Sequence, residues 1–264
     1  MDAVLKVENL TVTSAKRPVI DDVSFDLHSG EVTALVGESG SGKTLSALSI
    51  LDLLPSGVIR KTGKISFKGE NIFDLKAEEL ESIRGNDIAM VFQEPFTALN
   101  PVMRAGIQIS EAIAAHKRYT DSEVKGRVEE LLDMVRLSSQ VVRSYPHELS
   151  GGMRQRLILA MALSCEPEVL ILDEPTTALD VSIQKEILDL IKGIQDNRRF
   201  AILFITHDFS VVNMVADKVC VMKEGRIVEK GLKEEVLKNP KHPYTRKLID
   251  CIPRLGDKRK RLPG

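Results

Sequence analysis

Two spacings of hydrophobic residues divide this chain. From Val4 to Leu27 apolar and polar positions alternate, with Leu5, Val7, Leu10 and Val12 in one run and Val23, Phe25 and Leu27 in the next, the period of half-buried strands. The intervening Ser14-Ala15-Lys16-Arg17-Pro18 reads as a turn, so a small sheet layer is expected at the front of the chain. Val32-Thr33-Ala34-Leu35-Val36 is a short apolar run, and Leu45 to Leu51 behind it suits a helix that Pro55-Ser56-Gly57 ends. Further strands are expected from Gly63 to a Lys68-Gly69 turn and over Asp87 to Gln93. Val169-Leu170-Ile171-Leu172 and Ala201-Ile202-Leu203-Phe204-Ile205 are apolar on both faces, as central parallel strands are, with a helix from Ser182 to Asp196 between them. Lys218 to Lys223 and Arg226 to Lys230, joined by Glu224-Gly225, predict a hairpin.

Between Pro101 and about Pro167 the pattern turns helical. Thr120-Asp121-Ser122-Glu123 is a capping box, and Val124, Val128, Leu131, Leu132 and Val135 then recur on one helical face. The expectation is a helical subdomain over about 101–167, inserted in an α/β domain spanning 1–231. From 232 to 264 the chain is more polar and basic, ending Lys258-Arg259-Lys260-Arg261, and reads as a tail.

Composition narrows the classes. A chain of 264 residues can bury one large core, or a core with an inserted subdomain. With 37 Lys and Arg against 38 Asp and Glu, the net charge of -1 argues against a surface built broadly for nucleic acid. No apolar run approaches the roughly 18–20 residues of a membrane span, and Met1-Asp2-Ala3-Val4 leads into strand alternation rather than a signal segment, so a cytoplasmic chain is expected. Cys165, Cys220 and Cys251 are odd in number and far apart, which fits neither a disulfide framework nor a metal-ligand spacing; the first two read as core residues.

Candidate chemistry begins at Gly37-Glu38-Ser39-Gly40-Ser41-Gly42-Lys43-Thr44, between a strand and a helix start: the G-x-x-x-x-G-K-[ST] phosphate loop in its required context. Backbone N–H groups of the turn, the helix N-terminus and the Lys43 ammonium converge there on a polyphosphate, and Thr44 offers a hydroxyl to Mg²⁺. Leu172-Asp173-Glu174 closes an apolar strand with two adjacent carboxylates, which are costly there unless a cation or a proton transfer uses them. Asp173 suits Mg²⁺ held through water and Glu174 suits polarisation of an attacking water, although such a strand end also serves to cap a following helix. His207 follows Ile205-Thr206, placed either to face the same γ-phosphate or to start a helix with a local hydrogen bond. Leu149-Ser150-Gly151-Gly152-Met153-Arg154-Gln155-Arg156 repeats the phosphate-loop physics, a Ser-Gly-Gly turn opening a helix.

With these motifs the chain resembles the ATPase subunits of ATP-binding-cassette (ABC) transporters over nearly its whole length. The resemblance lies at the Walker A run Gly37 to Thr44, the Q-loop Gln93, the signature Leu149 to Met153, the Walker B run Val169 to Asp173 with Glu174, the D-loop Ala178-Leu179-Asp180 and the H-loop His207, in the family's order. It implies a P-loop NTPase (RecA-like) α/β core with an antiparallel β layer. It implies ATP and Mg²⁺ as ligands, with Lys43, Glu174 and His207 in catalysis and Thr44, Gln93 and Asp173 at the metal. The nucleotide would be bound by Gly37, Glu38, Ser39, Gly40, Ser41, Gly42, Lys43, Thr44, Leu45 and Gln93, with Ser150, Gly151, Gly152 and Asp180 completing a neighbouring subunit's site in a head-to-tail dimer.

A narrower resemblance is to the oligopeptide, dipeptide and nickel branch of binding-protein-dependent importers. It rests on Gln93-Glu94-Pro95-Phe96-Thr97-Ala98-Leu99-Asn100-Pro101-Val102-Met103, on His242-Pro243-Tyr244-Thr245 and on Ile252-Pro253-Arg254-Leu255. That branch implies two membrane permease subunits, a second and non-identical ATPase, an extracytoplasmic solute-binding protein, no nucleic acid, and a place at the cytoplasmic face of the membrane. The solute would be a peptide, nickel, a metal chelate or a related small molecule. Three departures stand out. Ser14 falls where the family usually stacks an aromatic on adenine, and Met153 ends the signature where many relatives have Gln. The sequence stops at 264 without the cysteine-rich segment that holds an iron–sulfur cluster in many oligopeptide-type members, and Cys251 alone cannot build one. The rival reading is a soluble ABC ATPase acting on ribosomes or DNA. Such proteins carry two cassettes or long heptad insertions; this chain has one phosphate loop and no heptad run.

Overall fold

The computed structural model describes residues 2–14, 17–93, 98–117, 119–177 and 179–250, with backbone alone at 58–61. Glu94 to Thr97, Ala178, Cys251, the run from Ile252 to Leu255 and the basic end at Lys258 to Arg261 lie outside the described residues.

Strands β1 (Leu5–Ser14) and β2 (Arg17–Leu27) pair antiparallel from Leu5 opposite Leu27 to Ser14 opposite Arg17. Of the run read as a turn, Ser14 therefore lies in β1 and Arg17 and Pro18 in β2, while Ala15 and Lys16 lie outside the described residues. β2 is at the sheet edge, where a missing N–H breaks no ladder. β4 (Val58–Phe67) and β5 (Glu70–Asn71) complete a four-stranded layer in the order β2-β1-β4-β5. The second sheet takes β3 (Val32–Val36), β6 (Ile88–Val91), β7 (Val169–Asp173), β8 (Ala201–Thr206), β9 (Lys218–Lys223) and β10 (Arg226–Leu232) in the order β10-β9-β3-β8-β7-β6. All its neighbours run parallel except the β9–β10 hairpin. Every residue of β3, β7 and β8 is buried, as their unbroken apolar runs require.

Alternation along these strands distributes two cores. Leu35, Ile171, Leu203 and Ile205 meet Leu5, Leu10, Ile20 and Ile65 of the antiparallel layer. Leu170, Leu172, Ile202 and Phe204 face the helices on the other side. Those helices include α3 (Ala105–Ala114), α4 (Asp121–Met134), α5 (Gly151–Ala162) and α6 (Val181–Arg198). The capping box at α4 forms, with Glu123 N–H donating to Thr120 Oγ1 at 3.4 Å and Thr120 N–H to Glu123 Oε2 at 2.7 Å. Arg127 and Arg198 each bridge both Glu130 and Glu166 at 2.7–3.1 Å, tying α4 to α6.

The helix after the phosphate loop, α1 (Lys43–Ile50), stops before Pro55. Asp52 adopts φ 50°, Leu53 N–H donates to Leu48 O at 2.9 Å and Asp52 N–H to Ser49 O at 3.2 Å. That is a Schellman ending with aspartate where glycine is usual. The remaining helices are α2 (Ala77–Ile83), α7 (Phe209–Val215), α8 (Lys233–Lys238) and α9 (Pro243–Asp250). Polar in composition, α8 and α9 still bury Val236 and Tyr244 against Ala34 and Val36 of β3. Cys165 and Cys220 are buried as expected, and burial pushes the Cys220 thiol up to about 12. No helix of the described residues is long and apolar enough to cross a membrane.

Candidate functional site

β3 delivers the chain to Gly37, and α1 begins at Lys43. The intervening turn needs glycine: Gly40 and Gly42 take φ 78° and 105°, and a Cβ on Gly37 would lie 2.1 Å from the Met222 carbonyl oxygen of β9. The turn closes on itself through Ser41 N–H to Glu38 O at 3.2 Å, and the β9–β10 hairpin supports it through Gly225 N–H to Ser41 O at 3.0 Å. Lys43 is buried, its Nζ donating to Gly37 O and Glu38 O at 2.9 Å each. Burial pushes its pKa down, against the pull of the Glu174 and Asp173 carboxylates. A polyphosphate in the turn offers this ammonium anionic oxygens in place of two neutral carbonyls. Glu38, Ser39, Gly40 and Thr44 are exposed, whereas Leu45 packs half-buried against the core between the sheets.

Asp173 ends β7 buried, 1% exposed, and Glu174 turns away from it in the left-handed region at φ 47°. Its N–H donates to Ile205 O of β8 at 3.0 Å, which holds a conformation costing about 1–2 kcal/mol for a residue other than glycine. The carboxylate so presented is gripped from several sides. Oε2 accepts from Gln93 Nε2 at 3.2 Å and from Thr177 Oγ1 at 2.9 Å, and Oε1 lies 3.1 Å from His207 Nδ1. A carboxylate only accepts, so this last bond puts a proton on Nδ1. Gln93, Glu174 and His207 thus converge from the ends of β6, β7 and β8. Sequence reasoning missed Thr177; its signal is its place in the turn after Glu174, where its N–H donates to Glu174 O at 3.3 Å.

Burial raises the Asp173 pKa, with the neighbouring Glu174 charge adding to it and the Thr44 hydroxyl and Lys43 working against it. Asp173 Oδ1 and Ser41 Oγ are buried without a hydrogen-bond partner. No group of three or more His, Cys, Asp or Glu that could hold a metal occurs among the described residues. The Thr44 hydroxyl and the orphaned Asp173 oxygen are nevertheless hard oxygen donors of the kind Mg²⁺ takes, with waters filling the rest.

Ser150 caps α5, its Oγ accepting Met153 N–H at 3.3 Å. A Cβ on Gly152 would lie 2.7 Å from Ile183 Cγ2, and one on Gly151 3.3 Å from Leu179 Cδ2, so the glycines let α5 start against the start of α6. Asp180 precedes α6, exposed and making no capping bond. Among the described residues no hydrogen bond or ion pair joins Ser150, Gly151, Gly152 or Asp180 to the phosphate loop. Ser14 closes β1 half-buried, opposite Arg17 and Val58.

The ABC transporter family model matches residues 20–177, more than half of the chain. The chain belongs to that family. A second model, described as the oligopeptide/dipeptide transporter C-terminal region, matches residues 228–264, and an AAA-domain model matches 142–213. The cassette is 45% identical over 262 residues to the dipeptide transport ATP-binding protein DppD of Bacillus subtilis, covering 97% of this chain and 78% of that protein. It is 47% identical to the probable peptide ABC transporter ATP-binding protein y4tR of Sinorhizobium fredii, covering 91% and 73%. It is 45% identical to the glutathione import ATP-binding protein GsiA of Escherichia coli, where it covers 96% of this chain but spans only 42% of the relative.

Among solved structures it resembles CbiO1 of Clostridium perfringens, part of the ABC transporter complex CbiONQ, at a TM-score of 0.81 and 30% identity over 90% of this chain and 92% of that one. It also resembles the ATP-binding cassette MJ0796, solved as a dimer in a post-hydrolysis state with ADP and phosphate, at 0.76 and 26% identity over 87% and 98%. The fold is that of a P-loop ABC ATPase with an antiparallel β layer.

Proposed function

We propose that this cassette hydrolyses ATP to drive uptake of a peptide-type solute through a binding-protein-dependent importer. The observation that carries the reading is the Glu174 carboxylate, held by Gln93, Thr177 and His207 beside the Lys43 loop. Lys43 and the N–H groups of residues 37–44 hold the triphosphate. Glu174 accepts a proton from the water whose oxygen attacks the γ-phosphorus as the bond to the ADP oxygen breaks. His207 orients Glu174 through Nδ1–H, and Gln93 reports the state of the site to the segment that follows it. Thr44, Asp173 and Gln93 would hold Mg²⁺, which neutralises charge on the phosphate oxygens when bound.

Residues 1–231 form the ATPase domain, with the helical subdomain at about 101–167, and 232–264 the tail that characterises the branch. Ser150, Gly151, Gly152 and Asp180 serve the site of a second, non-identical cassette. Two permease subunits dock on the helical layer, where Ile107 and Tyr119 are 50% and 47% exposed beside Val124 and Val142. These partners place the cassette at the cytoplasmic face of the membrane. Among the anticipated solutes, peptides and glutathione are named by the three relatives described above, and nickel is not. The test is reconstitution in vesicles with the permeases, the partner cassette and the binding protein. ATP-dependent uptake of labelled dipeptide is expected. Turnover without uptake of any peptide would overturn the solute reading, and no turnover at all would overturn the ATPase reading.

A further inference from the structure

The catalytic site leaves the run His242-Pro243-Tyr244-Thr245 without a task, yet the chain holds this run in a defined geometry. Glu229 on β10 accepts Lys241 N–H at 2.7 Å and His242 N–H at 3.0 Å, which pins the backbone ahead of α9. His242 Nδ1 accepts Tyr244 N–H at 3.2 Å, and Pro243 takes the first helical position, where no N–H is needed. Tyr244 is then 8% exposed, packed beside Ala34 and Val36 of the strand that feeds the phosphate loop. The Lys223 ammonium lies 5.3 Å from its ring centroid. Its phenol oxygen accepts the Glu38 N–H at 3.1 Å across 206 residues of sequence.

Glu38 is the node of the loop. Its carbonyl oxygen accepts both Lys43 Nζ at 2.9 Å and Ser41 N–H at 3.2 Å, so the peptide units around it anchor the ammonium and the internal turn together. Tyr244 holds the other side of that residue. Burial raises the phenol pKa, so the oxygen meets the N–H as a neutral hydroxyl acceptor.

We propose that Tyr244 is a positioning residue for the phosphate loop, fixing the Glu38 corner on which Lys43 and the Ser41 turn rest and so coupling the C-terminal segment to nucleotide affinity. The proposal rests on the reading of this loop as the nucleotide site. A loop held in place loses less freedom when a phosphate arrives, so the bond strengthens binding without touching the nucleotide. By linkage, a bound nucleotide must steady α9 by the same factor.

The test uses the full chain and two readouts. Tyr244→Phe keeps the ring and removes the acceptor. It should raise the Kd for ADP and for ATP by about 3- to 10-fold, the worth of one hydrogen bond, by the same factor for both and with a fall in Tm of no more than about 4 °C. With the partner cassette present, KM for ATP should rise and kcat stay within about twofold, because the contact precedes the chemical step. Glu229→Gln, which leaves the phenol but gives up part of the backbone clamp, should shift the Kd in the same direction. In the unaltered chain, ADP should slow amide exchange over 239–250, and in Tyr244→Phe that slowing should disappear. Unchanged affinity in Tyr244→Phe, or no effect of ADP on exchange over 239–250 in the unaltered chain, overturns the proposal. If the unaltered chain binds no nucleotide, or Lys43→Ala binds as well as it does, the nucleotide reading of the loop fails instead.

Discussion

Replacing Glu174 by glutamine separates chemistry from structure, because the amide is isosteric with the carboxylate. Gln93 and Thr177 both donate to Oε2, so an amide oxygen in that position keeps both bonds. The amide NH₂ then faces His207 Nδ1, which can accept once its proton moves to Nε2. With two bonds kept and the third reversed, the stability cost should stay within about 1 kcal/mol, a Tm change of roughly 2–4 °C. The proton acceptor for the attacking water is lost outright. Removal of a positioned general base is worth about 10²- to 10⁴-fold, or about 2.7–5.4 kcal/mol in the barrier. Single-turnover hydrolysis measured with the partner cassette should therefore fall by at least about a hundredfold, while ATP affinity by titration stays near that of the unaltered chain and the closed dimer accumulates. Turnover within tenfold of the unaltered chain would remove Glu174 from the catalytic role.

Asp173→Asn tests the electrostatics of the same strand end. Burial holds the Asp173 pKa above its usual 3.8, so the ionised form opposes folding in full above the raised value, and that penalty shrinks as pH falls below it and is gone below about 3.8. Without nucleotide or Mg²⁺ the variant should melt higher than the unaltered chain near neutral pH, with the gap closing in acid; a lower Tm at neutral pH would refute the assignment. Gly37→Ala drives a Cβ to 2.1 Å from the Met222 carbonyl and should cost about 1–3 kcal/mol, at the upper end because backbone must move. Gly193→Ala, inside α6 with open space around it, should instead gain about 0.5–1 kcal/mol; calorimetry of the pair checks both signs. Lys43→Ala and Ser150→Arg variants, each inactive and mixed together, should not rescue one another, because with a non-identical partner they never share an interface. ATPase from the chain alone, with rescue on mixing, would establish a homodimer.

Local chemistry was the legible part of the sequence. A strand, a glycine turn and a helix start announce the phosphate loop, and paired carboxylates after an apolar strand announce the second half of the site. The convergence on Glu174 was not legible from spacing, since Gln93 and His207 lie 81 and 33 residues away. Only the parallel order β8-β7-β6 brings those three strand ends side by side. The end of α1 escaped because Asp52 takes the left-handed position that glycine usually signals, and the hairpin turn was overdrawn because an edge strand accepts Pro18. The polar composition after Leu232 hid two short helices, since each buries only one narrow face and leaves the rest to solvent.

Among the described residues nothing bonds Ser150, Gly151 or Gly152 to their own chain's phosphate loop, and on the proposed reading of a second cassette this implies a rate law. If, as proposed, the chain carries halves of two different sites, it turns nothing over until it meets its counterpart, so in dilute solution the rate should follow the product of the two cassette concentrations. Diluting an equimolar mixture twofold then cuts the rate per volume fourfold. Bound side by side on one permease pair, the cassettes face each other at an effective concentration that reaches the millimolar range for short tethers, and the dependence on dilution disappears. On that reading assembly at the membrane is itself the switch, and a cassette adrift in solution wastes no ATP.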